Sequence, residues 1–213
     1  MTLLRLEEPR ALEQTIAAIQ KGGIVAFPTD TVYGIAASLT APEALHRIFT
    51  VKGRTAAKTL PILIASGAAL KPLVRDPDPR LLALANQFWP GPLTMILPGN
   101  PDLPPEVLAS DGTIGLRIPN HSVALTIAER SGGAIAVTSA NPSGSAPALH
   151  AADIPPFLAE HIDIILDGGI ARGGKASTVV RLGDDGLEIL REGTITQEAI
   201  ENVWDAINNS GEF

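Results

Sequence analysis

IVAFPTDTVYGIAAS, residues 24–38, opens as a strand and turns polar within a few positions. Ile24 to Phe27 are four apolar residues with the length and bounding signals of a buried strand. Pro28 has no N–H to donate and breaks a ladder. Two threonines, an aspartate and a tyrosine then crowd into a polar loop, with Gly34 where the backbone needs positive φ or close approach to a ligand. Polar loops at the ends of buried strands are where open α/β sheets bind ligands. On spacing alone, a ligand loop and an ordinary turn both stand.

Working outward, Leu12, Ile16 and Ile19 recur at helical spacing before the stop Gly22-Gly23, so residues 10–21 read as an amphipathic helix. Thr40-Ala41-Pro42-Glu43 reads as a capping box opening a helix with Leu45, Ile48 and Phe49 on one face. That helix runs out at Lys52-Gly53-Arg54, with Lys58 beyond. These cations either complement the helix dipole in water or cradle an anionic ligand. Leu60–Ala65 is a second apolar strand. Pro77-Asp78-Pro79 opens a helix bearing Leu81, Leu82, Leu84 and Phe88, which Pro90-Gly91-Pro92 stops.

Leu93–Leu97 and Thr113–Ile118 are strands on either side of a Pro-, Asp- and Gly-rich loop, residues 98–112. The second strand holds Arg117 in apolar company, where an unpaired charge is costly. Either a carboxylate from elsewhere in the fold or a ligand must satisfy it. Asn120 or Ser122 caps a helix through Ile127, and Ala134–Val137 is a strand leading into Thr138-Ser139-Ala140-Asn141-Pro142-Ser143-Gly144. Small hydroxyl and amide groups there close turns on their own backbone or donate to an anion.

Ile162–Leu166 is a further strand, followed by the loop Gly168–Ala176. Ser177–Leu182 and Leu187–Leu190 form an antiparallel pair turned by Gly183–Gly186, with Arg191 at its exit. Thr196 caps a last helix whose Ile200, Val203, Trp204 and Ile207 make one packing stripe, and the final NNSGEF reads as frayed. No repeat or linker divides the chain, so residues 1–213 read as a single α/β domain around a twisted sheet with flanking helices.

Bulk properties narrow the function. A net charge of −7 argues against a protein that coats nucleic acid, without excluding a local basic pocket. With no cysteine, disulfides, thiolate nucleophiles and cysteine–metal sites are excluded. The N-terminus has no basic region followed by a long apolar run, and the longest mostly apolar run, residues 60–70, is too short to span a bilayer, so a cytoplasmic location without membrane contact is expected. Gly169–Lys175 matches the spacing of a phosphate-binding P-loop. Ala176 replaces the hydroxyl that such a loop needs, and the strand-like Ser-Thr-Val-Val follows where a helix should begin. The segment is better taken as a lid or an exposed turn. His46, His121, His150 and His161 lack metal-ligand spacing, and no nucleophile elbow appears. What remains is cations and hydroxyls at strand ends, suited to positioning and charge neutralisation.

PTDTVYG, KGR, FWPGPLT, TIGLRIP, TSANPSG, STVV and ILREGTIT, in that order from about residue 10 to residue 200, resemble the YrdC-like threonylcarbamoyl-AMP synthases. The resemblance implies a YrdC-like mixed sheet with a central cleft, in the short form that holds the catalytic domain alone. It implies formation of L-threonylcarbamoyladenylate and pyrophosphate from L-threonine, bicarbonate and ATP, with Mg²⁺ riding on the nucleotide. The product serves the threonylcarbamoyl modification of adenosine 37 in tRNAs reading ANN codons, through a downstream transferase complex. By position, Thr31, Arg117, Val137 and Ser177 would hold L-threonine. Lys52, Arg54, Ser139 and Asn141 would be catalytic, and Arg54, Lys58, Thr113, Ser139 and Arg191 would bind the nucleotide. Metal ligands are not readable. Thr55, Thr59, Pro147-Ala148-Leu149 and Arg181 depart from the family pattern without removing a charged anchor. Weak RNA binding is a further possible partner interaction, and two alternatives remain: a non-catalytic RNA-binding module, and carbamoyl transfer of the hydrogenase-maturation kind.

Overall fold

The computed structural model describes residues 1–53, 59–142 and 144–210. In chain order its elements are β1 (Thr2–Arg5), α1 (Ala11–Gln20), β2 (Val25–Pro28), β3 (Tyr33–Ser38), α2 (Pro42–Val51), β4 (Ile62–Ile64), α3 (Pro79–Phe88), β5 (Leu93–Pro98) and β6 (Thr113–Arg117). They continue as α4 (Ser122–Arg130), β7 (Ala134–Ser139), α5 (Pro156–Ala159), β8 (Ile164–Asp167), β9 (Thr178–Gly183), β10 (Gly186–Arg191) and α6 (Gln197–Ser210). The strands form one mixed sheet in the order β1-β8-β2-β3-β7-β4-β6-β5-β9-β10.

The opening stretch is a hairpin, with β2 antiparallel to β3 and Pro28 opposite Tyr33. This corrects the reading of Tyr33–Ser38 as loop. Tyr33 through Ala37 are all buried, but glycine and alanines there conceal the strand signal that β-branched residues carry elsewhere. Pro28 sits at the end of its strand, where a missing N–H is tolerated.

Alternation along the central strands builds two cores. Val25 and Phe27 of β2 and Leu63 of β4 pack with Ile16 and Ile19 of α1 and Val123 and Ile127 of α4. Ala26, Ile62 and Ile64 turn the other way, into the larger core with Leu45 and Ile48 of α2, Leu84 of α3 and Trp204 of α6. Two covered faces explain the continuous apolar runs. Each large side chain buried in them contributes roughly 1.5–3 kcal/mol over an exposed one.

On the α1/α4 face those helices cover β2, β3, β4 and β7. Farther along, Leu93, Met95, Ile114, Leu116 and Val180 all enter the opposite core. The alternate residues Thr94, Ile96, Gly115 and Val179 are left to line an open cleft.

Several boundaries differ from expectation. Thr40 does not cap α2: its hydroxyl is 2.9 Å from that of Ser38, and Ala41 takes the cap position without a side-chain bond. Neither Asn120 nor Ser122 caps α4, because His121 occupies that position. Asp78 caps α3 through the Arg80 N–H at 2.8 Å, where Pro77-Asp78-Pro79 is expected to open a helix, and Thr196 accepts from Ala199 N at 3.3 Å, the cap expected there. The edge strand β1 was not foreseen, since TLLR carries no bounding turn signal. Among the described residues no helix is long and apolar enough to cross a membrane.

Candidate active site

Arg117 ends β6 and is 6% exposed, so its charge must be answered. It is answered from the β2–β3 turn. Nη2 meets Asp30 Oδ1 at 2.5 Å, Nη1 donates to Thr31 Oγ1 at 3.0 Å, and Nε donates to the Gly91 carbonyl at 2.9 Å. The carboxylate alternative is therefore realised by Asp30, a residue the sequence reading passed over. These contacts leave part of the guanidinium fork for a ligand.

Thr31 is fixed in turn by the Thr29 hydroxyl at 2.9 Å, while Thr29 donates to Val32 O at 2.7 Å. The turn closes on itself and offers Thr31 to the cleft. A cavity of about 110 Å³ lies there, lined by Thr31, Leu63, Arg117, Val137, Ser177 and Arg191 among others. All four residues expected to hold an amino acid thus meet in one place. Ser177 Oγ is 2.8 Å from Thr94 Oγ1 and accepts from Arg191 Nη2 at 3.2 Å.

Arg191, held by the Ser177 carbonyl at 2.8 Å, has its pKa lowered by burial first and then by the charge of Arg117. Two guanidinium groups repelling each other across a small cavity make a place that an anion stabilises.

A second cavity, of about 880 Å³, shares Pro61, Thr94, Ser139, Ala176 and Arg191 with the first and adds Lys52, Asn141, Lys175 and Glu192. Lys52, at the end of α2, is 5% exposed. Its Nζ donates to the Ser139 carbonyl at 2.6 Å and to the Asn141 carbonyl. The Asn141 amide donates to Ser145 O at 2.6 Å. Lys52 therefore anchors the loop after β7, which the sequence alone could not distinguish from a dipole-complementing surface cation. Thr113 stands apart from both linings: it lies on the same side of β6 as Gly115 and Arg117, but its hydroxyl donates to Asp111 at 2.7 Å. Arg54 and Lys58 lie outside the described residues.

The loop Gly168–Ala176 is a strap across the cleft. Tyr33 OH donates to Gly169 O at 2.7 Å, Ala171 N to Leu149 O at 2.8 Å and Gly174 N to Thr31 O at 3.1 Å. Burial pushes the Tyr33 pKa up to about 12, so the phenol keeps its proton for that bond. Gly173 has no room for a side chain: a Cβ would lie 2.6 Å from Thr31 Cα and closer still to the Asp30 carbonyl. Gly173→Ala is therefore expected to lift the strap off Thr31. Overpacking costs about 1–3 kcal/mol, so amino-acid affinity measured by calorimetry should fall roughly tenfold or more.

Among the described residues no three His, Asp or Glu side chains gather into a metal site. Glu192, the carboxylate on the larger lining, is already bonded to Gln197 N at 3.1 Å. Among the described residues the larger lining thus offers a divalent cation one carboxylate and no protein cage.

The family described as Sua5/YciO/YrdC, telomere recombination, matches residues 17–193. The chain belongs to that family. It is 39% identical over 198 residues to a threonylcarbamoyl-AMP synthase of Bacillus subtilis, covering 92% of this chain and 57% of that one. A putative threonylcarbamoyl-AMP synthase of Mycobacterium tuberculosis is 32% identical over 92% of this chain and 90% of its own. Among solved family members, Pyrococcus abyssi Sua5 complexed with L-threonine superposes with a TM-score of 0.84 at 37% identity, over 95% of this chain and 60% of that one. Escherichia coli YciO gives 0.82 at 26%, over 93% and 98%. The chain thus spans between half and two thirds of the length of the B. subtilis and P. abyssi proteins.

Proposed function

We propose that this protein is a threonylcarbamoyl-AMP synthase, joining L-threonine, bicarbonate and ATP into L-threonylcarbamoyladenylate with release of pyrophosphate and water. The observation that carries this is the meeting of Arg117 and Arg191 with Thr31 and Ser177 at one small cavity whose wall is shared with a nucleotide-sized one. The binding of L-threonine by the P. abyssi relative supports the same reading.

In this reading Arg117 binds the threonine carboxylate with the free part of its fork, pre-set by Asp30. The hydroxyls of Thr31 and Ser177 orient the amino acid, and Val137 meets its methyl group. The threonine amine adds to bicarbonate with loss of water, giving a carbamate. A carbamate oxygen then attacks the α-phosphorus in line with the departing pyrophosphate. Ser139, at the end of β7, and Asn141, on the loop that Lys52 anchors, face the adenylate. Arg191 takes up charge on its phosphate, joined by Arg54 and Lys58, and Thr113 would reach the nucleotide only by exchanging its bond to Asp111. Mg²⁺ on the nucleotide would neutralise phosphate charge.

The product would pass to a transferase complex acting on adenosine 37 of tRNAs reading ANN codons, in a cytoplasmic setting where tRNA, ATP and bicarbonate meet. Conversion of ATP to AMP and pyrophosphate should require threonine and bicarbonate together, followed chromatographically with Mg²⁺ present. Tight RNA binding at physiological salt with no AMP from the full mixture would replace this reading with the binding-module one.

A further inference from the structure

The cations of the described cleft are already engaged by the protein. Lys52 donates to the carbonyls of the Ser139–Asn141 loop, Arg117 is paired with Asp30, and Arg191 is bonded to Ser177. Lys175 differs. It lines the larger cavity, sits exposed on the strap, and among the described residues its amine makes no hydrogen bond or ion pair.

The backbone on either side of Lys175 is tied down. Gly174 N donates to Thr31 O at 3.1 Å and Thr194 N to Ala176 O at 3.1 Å. Gly193 packs so closely under Ala176 and Ser177 that a Cβ there would collide with both. A long flexible ammonium thus springs from a fixed point above a cavity whose other positive groups, among the described residues, already bond to the protein. Arg172, three residues earlier on the same strap, is also exposed and lines neither cavity.

We infer that Lys175 is a further substrate-binding residue, its ammonium contacting the polyphosphate of the nucleotide and staying with the leaving pyrophosphate. This rests on the proposed synthase reading, which supplies the nucleotide and the leaving group. A lysine suits the task because phosphate oxygens change position as the Pα–O bond breaks, and a point charge on four methylenes follows them where a rigid fork would not.

The test uses the full chain and inorganic tripolyphosphate as probe, titrated by calorimetry. Wild type and Arg172→Gln should bind alike. Lys175→Gln should bind about tenfold more weakly, with a shallower salt dependence, and Lys175→Arg should recover part of the loss. Threonine affinity should be unchanged in all of them. In turnover, Lys175→Gln should raise KM for ATP and leave KM for threonine alone. Equal tripolyphosphate affinity in wild type and Lys175→Gln, an equal loss in Arg172→Gln, or no binding by wild type would each overturn the assignment. Failure of the synthase reading shows separately, as absence of threonine-dependent AMP from wild type.

Discussion

Arg117→Ala is expected to abolish threonine-dependent AMP formation and to destabilise the fold at the same time. The variant strands Asp30, whose Oδ2 is already buried without a partner and whose Oδ1 then loses its guanidinium. Breaking one side of a buried pair costs about 3–5 kcal/mol, which chemical denaturation would measure. The two effects separate in a second variant. Asp30→Asn combined with Arg117→Gln removes both charges, so much of the lost stability should return while turnover stays at least about a hundredfold below wild type. If the double variant recovers activity together with stability, Arg117 has only a structural role.

The second large effect is expected at Lys52. Lys52→Met keeps the length and apolar stem but withdraws the ammonium from the carbonyls of Ser139 and Asn141. Hydrogen bonds from charged groups contribute about 1.5–3 kcal/mol each, so the loop after β7 should loosen and carry Asn141 out of register with the larger cavity it lines. Hydrogen exchange should rise at Ala140 and Asn141 before it rises in the core strands, and AMP formation should fall about a hundredfold or more. Lys52→Arg should not rescue it, because a guanidinium is too broad for a site 5% exposed. Unchanged exchange in that loop with turnover intact would contradict this view of Lys52.

Much of the fold was legible because its apolar runs are bounded by glycine and proline: Leu93–Leu97 and Thr113–Ile118 are close to β5 and β6. Tyr33–Ser38 was not legible as a strand because its small residues, buried on both faces, lack the β-branching that marks the other strands. Candidate site residues were legible as types before they were legible as partners. Arg117 announced that something must neutralise it, yet Asp30 lies 87 positions away and nothing in local spacing ties them. The signal for Asp30 was its place in PTDTVYG, inside the stretch already singled out. Gly173 was visible only as part of a false phosphate-loop pattern. Its actual constraint, close passage over Thr31, is a tertiary fact.

Thr113, Gly115 and Arg117 share one side of β6, while Ile114 and Leu116 fill the core on the other. Losing or gaining one residue inside that strand would swap the two sets, driving a guanidinium into hydrocarbon and leucine into the binding face. Insertions are therefore expected to be tolerated in connections such as residues 99–112 and to disrupt folding when placed inside β6.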